Sequence, residues 1–243
     1  ATLSGGLMRD AGTTVLQGTT AVTGNVGLDT SHVLRNEGTL TWSAGDFDLN
    51  VVPNNGGSGA LANAAGALFE ATGNNTIFVV GFGDSTLPAG FPRFDNAGTF
   101  RKSTGTGTTT IGVAFNNTGT VEVQSGTLNL SGGSNTTSTG TLSIADSATL
   151  QFGGGTHTVD GIDSSSSTGG IRVSAGTVNL GGALTHGGLL SLTGGTLNFA
   201  GPSSTATYAQ SGGTLGGVGT LTVTGNATLS GGLMRDAGTT VLQ

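Results

Sequence analysis

The sequence predicts an all-β protein, a right-handed parallel β-helix (β-solenoid) with coils of about 20 residues. Three observations predict it: short strands opened by glycine recur along the chain, apolar and polar residues alternate within them, and asparagine recurs just before the opening glycine. The 243 residues include 48 glycines, four prolines and no cysteine, and show no helical stripe of apolar residues.

Composition excludes several other classes of protein. Collagen requires glycine at every third position, which is not met. Disorder requires low hydrophobicity with high charge, whereas 34% of the residues are hydrophobic and 8% are charged. A net charge of −6, with only 7 Lys and Arg, predicts no nucleic-acid partner. No apolar stretch approaches the roughly 18 residues of a membrane span, so none is predicted in this segment.

The strands repeat as coils with one buried face. Gly98, Gly119 and Gly140 open successive coils at one constant spacing, and other spacings are explained by loops inserted into a common coil. The predicted core consists of Leu40, Trp42, Val121, Val123, Leu128, Leu130, Leu142, Ile144, Leu150, Phe152, Ile171, Val173, Leu221 and Val223. A left-handed hexapeptide helix lacks its six-residue period here. A β-sandwich or antiparallel barrel remains the alternative, although hairpin dipeptides are nearly absent.

Asparagine occupies a fixed position before three coil-opening glycines. Asn36, Asn96 and Asn117 share this offset, and Asn63 lies close to the same place. Stacked coils would align the three side chains in one column along the axis, where amides can form a hydrogen-bonded ladder. The alternative is that asparagine is simply favoured in turns.

The two ends of the chain are duplicates. Residues 1–17 recur letter for letter as residues 227–243, including Met8 and Met234, the only two methionines. This predicts a tandem array in which 1–226 is one unit and 227–243 begins the next; an engineered overlap is the alternative. We expect both copies to occupy the same position in the solenoid, separated along the axis by roughly 50 Å.

The stretch Phe115-Asn-Asn-Thr-Gly-Thr-Val-Glu-Val-Gln-Ser-Gly-Thr-Leu-Asn-Leu130 resembles the repeats of giant bacterial surface proteins. It is similar to filamentous-haemagglutinin and autotransporter passenger β-helices, and the pattern covers most of residues 38–230. The resemblance implies export to the cell surface or beyond, with adhesion, biofilm or sheath roles. The implied partners are further copies, through end-to-end continuation and lateral bundling, and surface glycans or other cell-surface ligands.

Two groups of carboxylates are candidate metal sites. Asp46 and Asp48 alternate around Phe47 and could coordinate Ca²⁺ with a neighbouring coil, or could lie on an ordinary exposed strand face. Asp160 and Asp163, within the polar stretch 157–167, could bind a metal or a sugar, or could belong to a solvated loop inserted between coils. Ca²⁺ is the only cofactor that the sequence suggests.

One pair of charges has two interpretations. Counting along the alternation places Glu70 and Lys102 at inward positions of consecutive coils, where they would have to pair. The alternative is a bulge in residues 66–69 that turns Phe69 inward and Glu70 outward.

The expected function is an extracellular structural fibre or stalk rather than an enzyme. The acids are too scattered to predict the paired carboxylates of a polysaccharide hydrolase or lyase. An adhesin or carbohydrate-binding surface on the same scaffold is the main alternative, and a row of exposed aromatic residues would favour it.

Overall fold

The computed structural model describes residues 1–49, 58–79, 90 and 92–243. The chain is all β in these ranges, and its strands stack in parallel as a β-solenoid of about 11 turns with roughly 21 residues per turn. The predicted fold class is therefore confirmed.

Twenty-nine strands follow one another along the described chain. The N-terminal strands are β1 (Thr2–Leu3), β2 (Gly6–Met8), β3 (Gly12–Leu16), β4 (Thr19–Val22), β5 (Val26–Leu28), β6 (His32–Asn36), β7 (Thr39–Trp42), β8 (Phe47–Leu49), β9 (Ala60–Asn63), β10 (Leu68–Ala71), β11 (Thr76–Phe78) and β12 (Arg93–Asn96). The central strands are β13 (Thr99–Lys102), β14 (Thr108–Ile111), β15 (Ala114–Asn117), β16 (Thr120–Val123), β17 (Thr127–Leu130), β18 (Thr141–Ile144) and β19 (Thr149–Val159). The C-terminal strands are β20 (Ile162–Ser164), β21 (Gly170–Leu180), β22 (Leu184–Leu192), β23 (Thr196–Phe199), β24 (Ser203–Gln210), β25 (Thr214–Gly217), β26 (Thr220–Val223), β27 (Ala227–Leu229), β28 (Leu233–Met234) and β29 (Thr239–Leu242).

Each turn of the solenoid passes over three faces. The first face is a seven-stranded sheet, β1-β4-β7-β10-β13-β16-β18, beyond which β20, β22, β24, β26 and β29 pair in succession. The second face runs from β2 through β5, β8, β11, β14, β17, β19, β21, β22 and β24 to β27. The third face contains β3, β6, β9, β12 and β15, and later the C-terminal halves of β19 and β21, then β23, β25 and β28. The long strands β19, β21, β22 and β24 turn a corner and contribute to two faces each.

The core is a continuous column of apolar side chains along the axis. Every predicted core residue is buried except Leu142, which is half-buried and packs against the core. The N-terminal half of the column is aromatic: Trp42, Phe47, Phe69, Phe94, Phe100 and Phe115 contact one another. Their tilted and edge-on arrangements are those that aromatic pairs prefer.

The coil-opening glycines are required by the close approach of the backbones. A Cβ on Gly119 would overlap the carbonyl oxygen of Gly98, and a Cβ on Gly140 would overlap that of Gly119. Each glycine therefore allows the next coil to stack directly upon it.

Insertions account for the longer coils. Paired asparagines are separated by 21 residues from Asn96 to Asn117, but by 27 from Asn36 to Asn63 and by 33 from Asn63 to Asn96. The additional residues lie in the sequence between β8 and β9 and between β11 and β12. The coil is thus common to all turns, and its loops vary in length.

Glu70 and Lys102 do not form the inward pair that the first interpretation required. Leu68 pairs with Thr99, so the position equivalent to Gly98 is Ala67, one residue later than the count assumed. Phe69 and Ala71 therefore point inward and Glu70 outward, while Lys102 is fully buried. The alternative interpretation gave the correct orientations of Phe69 and Glu70. Their cause is the one-residue offset rather than a bulge, because the β10–β13 pairing is uninterrupted.

The duplicated ends occupy different faces. Residues 1–17 form β1, β2 and β3 on the first, second and third faces, whereas 227–243 form β27, β28 and β29 on the second, third and first. The two copies share a φ of 71° at Asp10 and Asp236, but their backbones differ at the preceding turn, where Gly5 has a φ of 137° and the φ of Gly231 is not positive. The expectation of an identical position is therefore wrong: because the coils are unequal in length, one repeat unit does not close on a whole number of turns, and the second copy is rotated by one face.

Candidate functional site

The buried polar groups are organised as an axial column of four asparagines. The Nδ2 group of Asn36 donates to Oδ1 of Asn63 at 2.9 Å, Asn63 to Asn96 at 2.8 Å, and Asn96 to Asn117 at 2.7 Å. Three of the amides also donate to backbone carbonyls of the next coil, those of Leu68, Thr99 and Thr120. The predicted column of Asn36, Asn96 and Asn117 is present, with Asn63 as a fourth member.

The position of the column follows from turn chemistry. Each asparagine is the last residue of its strand, β6, β9, β12 or β15, at the corner between the third and first faces. The Oδ1 of Asn36 also accepts the N–H of Gly38 at 3.2 Å, which is an Asx-type turn contact. Turn preference and ladder formation therefore act together at this corner.

Outward-facing charged and polar side chains form contacts both between neighbouring coils and within one strand. Arg101 Nε lies 2.6 Å from the Glu122 carboxylate one coil further on, and this hydrogen bond raises the pKa of Arg101. Asp95 accepts a hydrogen bond from Asn116 of the next coil at 2.8 Å and forms an ion pair with Arg93 at 2.6 Å. The Arg101–Glu122 and Asn116–Asp95 contacts thus join adjacent coils, whereas the Arg93–Asp95 pair lies within β12.

The candidate calcium ligands Asp46 and Asp48 have different roles. Asp46 lies just before β8, where its Oδ1 accepts the N–H of Thr76 at 2.7 Å and its own N–H donates to Asn25 at 2.9 Å. Asp48 lies in β8 in register with Phe78. Within the described ranges, no group of three or more His, Cys, Asp or Glu side chains is placed to hold a metal.

The polar stretch 157–167 is part of the solenoid, and its interpretation as an inserted solvated loop is wrong. His157 lies in the C-terminal half of β19, and Ser164 ends β20; both side chains are buried. Asp160 and Asp163 are exposed, and Asp163 Oδ1 accepts the N–H of Ser165 at 3.2 Å. The two aspartates therefore lie on the surface around the corner between β19 and β20.

Sequence reasoning missed a set of serines that take over strand hydrogen bonds. We call residues 132–138 and 164–167 the serine seam. Residues 132–138 lie between β15 and β19 on the third face, where only the isolated bridge of Ser138 to Val159 is formed. Residues 164–167 lie beyond β18, where the seven-stranded sheet of the first face ends. The Oγ of Ser138 accepts the N–H of Asn117 at 3.2 Å, and that of Ser167 accepts the N–H of Ile144 at 3.1 Å. A cavity of about 20 Å³, room for about one water molecule, lies beside Ser138.

Two buried histidines were also missed as members of the core. His157 packs edge-on against Phe152, with ring centroids 4.9 Å apart, and its Nε2 lies 3.0 Å from the carbonyl oxygen of Gly154. His186 Nδ1 lies 2.9 Å from Ser164 Oγ. Each of these side chains is almost completely buried, so the serine–histidine pair is closed to a substrate in this structure.

Burial lowers the pKa of both His157 and His186, because the charged imidazolium loses its hydration. The unfolded chain, with histidine pKa values near 6.5, then binds protons more readily than the folded chain. The contribution of these two histidines to the free energy of unfolding is therefore fully present above about pH 6.5 and is lost as the pH falls below that value. Urea unfolding between pH 7.5 and 5 should show this loss, and the variant H157F/H186L should show a smaller one. An equal loss in the variant would contradict the assignment.

Lys102 is held by neutral oxygen atoms. Its ammonium donates to the carbonyls of Gly73 and Thr104, both at 3.2 Å, and to Asn74 Oδ1 at 3.4 Å. Burial lowers the pKa of Lys102. At the same corner two coils earlier, Trp42 Nε1 donates to the carbonyl of Gly45 at 2.8 Å. Inward side chains thus satisfy turn carbonyls here, and no carboxylate is needed for this role.

Comparison with family models, curated proteins and solved structures finds no significant match to this chain. Across the described ranges, the structure contains no helix of the length and hydropathy that a membrane span requires. The geometry of the chain itself therefore supplies the argument for its function.

Proposed function

We propose that this chain is a length of an extracellular structural fibre or stalk, in which repeated β-solenoid units continue one another. The observation that supports the proposal is that the cohesive contacts run along the solenoid axis. The asparagine column, the aromatic core and the Arg101–Glu122 pair all join one coil to the next. An added coil can extend every one of these columns.

The energetics of such a rod are those of a one-dimensional array. Each coil contacts its neighbours above and below, so stability is approximately a sum of coil and interface terms. At a strand spacing of about 4.8 Å, about 11 turns advance roughly 50 Å. The length of a fibre then grows in proportion to the number of units, which is the property that a stalk requires.

The surface supports a structural role better than sugar binding. Trp42 and Tyr208, the only tryptophan and tyrosine, are completely buried. The Tyr208 hydroxyl donates to Gln210 Oε1 at 2.9 Å, and burial raises its pKa. These two side chains therefore offer no platform on which a sugar ring could stack.

A chain of two units tests the fibre proposal. Residues 1–226 followed by 1–243 should appear in electron micrographs as a straight rod about 50 Å longer than the single unit at the same diameter. Particles of unchanged length, or two lobes joined at variable angles, would contradict continuous stacking.

Antibodies against the chain should label filaments outside the intact cells that produce it, and label confined to the cell interior would contradict the extracellular assignment.

We also expect no hydrolysis or lysis of common polysaccharides by the purified chain. The charged residues are too sparse in the sequence to predict an acid–base pair. Assays for reducing ends and for unsaturated products provide the measurement. Reproducible turnover that disappears on replacing Asp160 or Asp163 with asparagine would overturn the structural role.

A further inference from the structure

We propose that an open notch beside Arg172, on the second face of the solenoid, binds a sugar acid, that is, a sugar that carries a carboxylate. The inference goes beyond the fibre role and does not depend on it. The notch has a volume of about 440 Å³ and lies between Thr149 and Leu189 along the axis, with Gly170 at its floor. Small-molecule sites commonly have volumes in this range.

The notch exists because Gly170 carries no side chain. The equivalent outward positions in the coils before and after it are occupied by Thr149 and Leu189. Stacking does not require glycine here, since a Cβ on Gly170 would lie 3.5 Å from the nearest atom, Thr149 Oγ1, and its φ is not positive. A Cβ on the adjacent Gly169 would instead overlap the carbonyl oxygen of Ala145. Position 170 can therefore accept a side chain, and without one it leaves a depression in the surface.

Arg172 is an exposed cation without a carboxylate partner in the part of the chain that the structure describes. Its Nε lies 3.4 Å from Thr193 Oγ1, whereas Arg35, Arg93 and Arg101 each pair with a carboxylate at 2.6 or 2.7 Å. No acidic residue lies on the second face in the two coils on either side, at 127–130, 149–152, 189–192 and 207–210. The guanidinium, whose paired donors match a carboxylate, thus meets no competing acid on this face.

The groups around Arg172 suit the hydroxyls of a sugar ring. Gln151 and Ser191 flank Arg172 in the coils before and after it, and Thr149 also lines the notch. Hydroxyl and amide groups both donate and accept hydrogen bonds, as sugar hydroxyls do. Leu189, which is 39% exposed, offers apolar surface to the C–H groups of the ring.

The dimensions of the notch favour a sugar acid over a simple ion. Neighbouring coils are about 4.8 Å apart, so Gln151 and Ser191 lie roughly 10 Å apart across Arg172. A small anion could contact only the guanidinium, whereas a ring with a carboxylate can reach the guanidinium and a flanking group together. Because the only tryptophan and tyrosine are buried, recognition depends on charge and hydrogen bonds. We therefore expect millimolar affinity for a single sugar.

Nuclear magnetic resonance titration of the isotope-labelled chain with glucuronate tests the proposal. We expect saturable shifts of the backbone amides of Thr149, Gly170, Arg172 and Leu189. Glucose, which lacks the carboxylate, and acetate, which lacks the hydroxyls, should produce much smaller shifts. Equal shifts with either compound, or no saturable shifts with glucuronate, would overturn the sugar acid. Shifts of the same amides on raising the protein concentration without sugar would assign the notch to a carboxylate of a second copy and would also overturn it.

Two variants provide the matched comparison. Gly170→Leu fills the notch and Arg172→Gln removes its charge, so each should lower the affinity for glucuronate about tenfold or more. Arg235→Gln is the control, because Arg235 is exposed beside β28 on the third face and does not line the notch. All three variants should keep the thermal unfolding midpoint of the wild-type chain, since the three positions face outward. Undiminished binding by Arg172→Gln would overturn the site. Neither outcome bears on the fibre proposal, which the rod length of the two-unit chain tests separately.

Discussion

Replacing Phe69 with alanine should lower the free energy of unfolding by about 3–5 kcal/mol. The Phe69 ring lies 5.1 Å from that of Phe94, 5.6 Å from Phe100 and 5.9 Å from Phe47, and it also contacts Trp42. Its removal opens a cavity at the centre of the aromatic column, and the neighbouring strands are fixed by backbone pairing on both sides. Collapse around the cavity is therefore limited, which places the cost in the upper part of the usual range.

Chemical denaturation followed by tryptophan fluorescence would measure this loss, because Trp42 lies in the same cluster. Phe69→Leu is the control and should cost no more than about 1.5 kcal/mol, since most of the volume is kept. Hydrogen exchange should show the greatest loss of protection in β7, β10 and β13. Equal destabilisation by leucine and alanine would show that the ring contacts are not what holds this part of the core together.

Replacing Asn96 with alanine should lower the free energy of unfolding by about 2–4 kcal/mol. Asn96 Oδ1 accepts from Asn63, and its Nδ2 donates to Asn117 Oδ1 and to the carbonyl of Thr120. The substitution leaves a donor on Asn63 and acceptors on Asn117 and Thr120 without these partners in a buried environment. The desolvation penalty of those groups, rather than the lost bonds themselves, makes the change expensive.

Asn198→Ala is the matched control for the column. Asn198 Nδ2 donates to Asn179 Oδ1 at 2.8 Å, so it makes a similar asparagine contact, but on the half-buried outer side of the third face. Water can replace that contact, and we expect a loss below about 1 kcal/mol. Urea unfolding of both variants provides the comparison. Equal costs at the two positions would contradict the importance of burial in the column.

The core and the asparagine column could be predicted because both depend on local sequence. Alternation of period two assigns Val121 and Val123 to the core without knowledge of any other coil. A fixed offset from a turn glycine places Asn96 and Asn117 at equivalent corners. Neither inference requires the number of residues in the intervening loops.

The face occupied by the second copy could not be predicted in this way. It depends on the sum of all coil lengths over the whole repeat unit, and an uncertainty of one third of a coil is enough to change the face. Glu70 illustrates the same problem over a shorter distance, because its coil opens at Ala67, one residue later than the count assumed. The positions of His157 and Ser164 were missed for a different reason: polar side chains at inward positions resemble the polar residues of a loop.

If repeat units continue one another as proposed, we expect the solenoid to bend most easily at the serine seam. At the seam the hydroxyls of Ser138 and Ser167 accept strand N–H groups, in addition to backbone bonds that cross it such as Phe115 N–H to the carbonyl of Gly133. A hydroxyl on a rotatable side chain tolerates small changes of angle and exchanges readily with water, which a strand ladder does not. In an array the seam would recur once in every repeat unit. A long filament of this protein would then behave as a chain of rigid segments with evenly spaced compliant joints, and its persistence length would be set by those joints rather than by the coils between them.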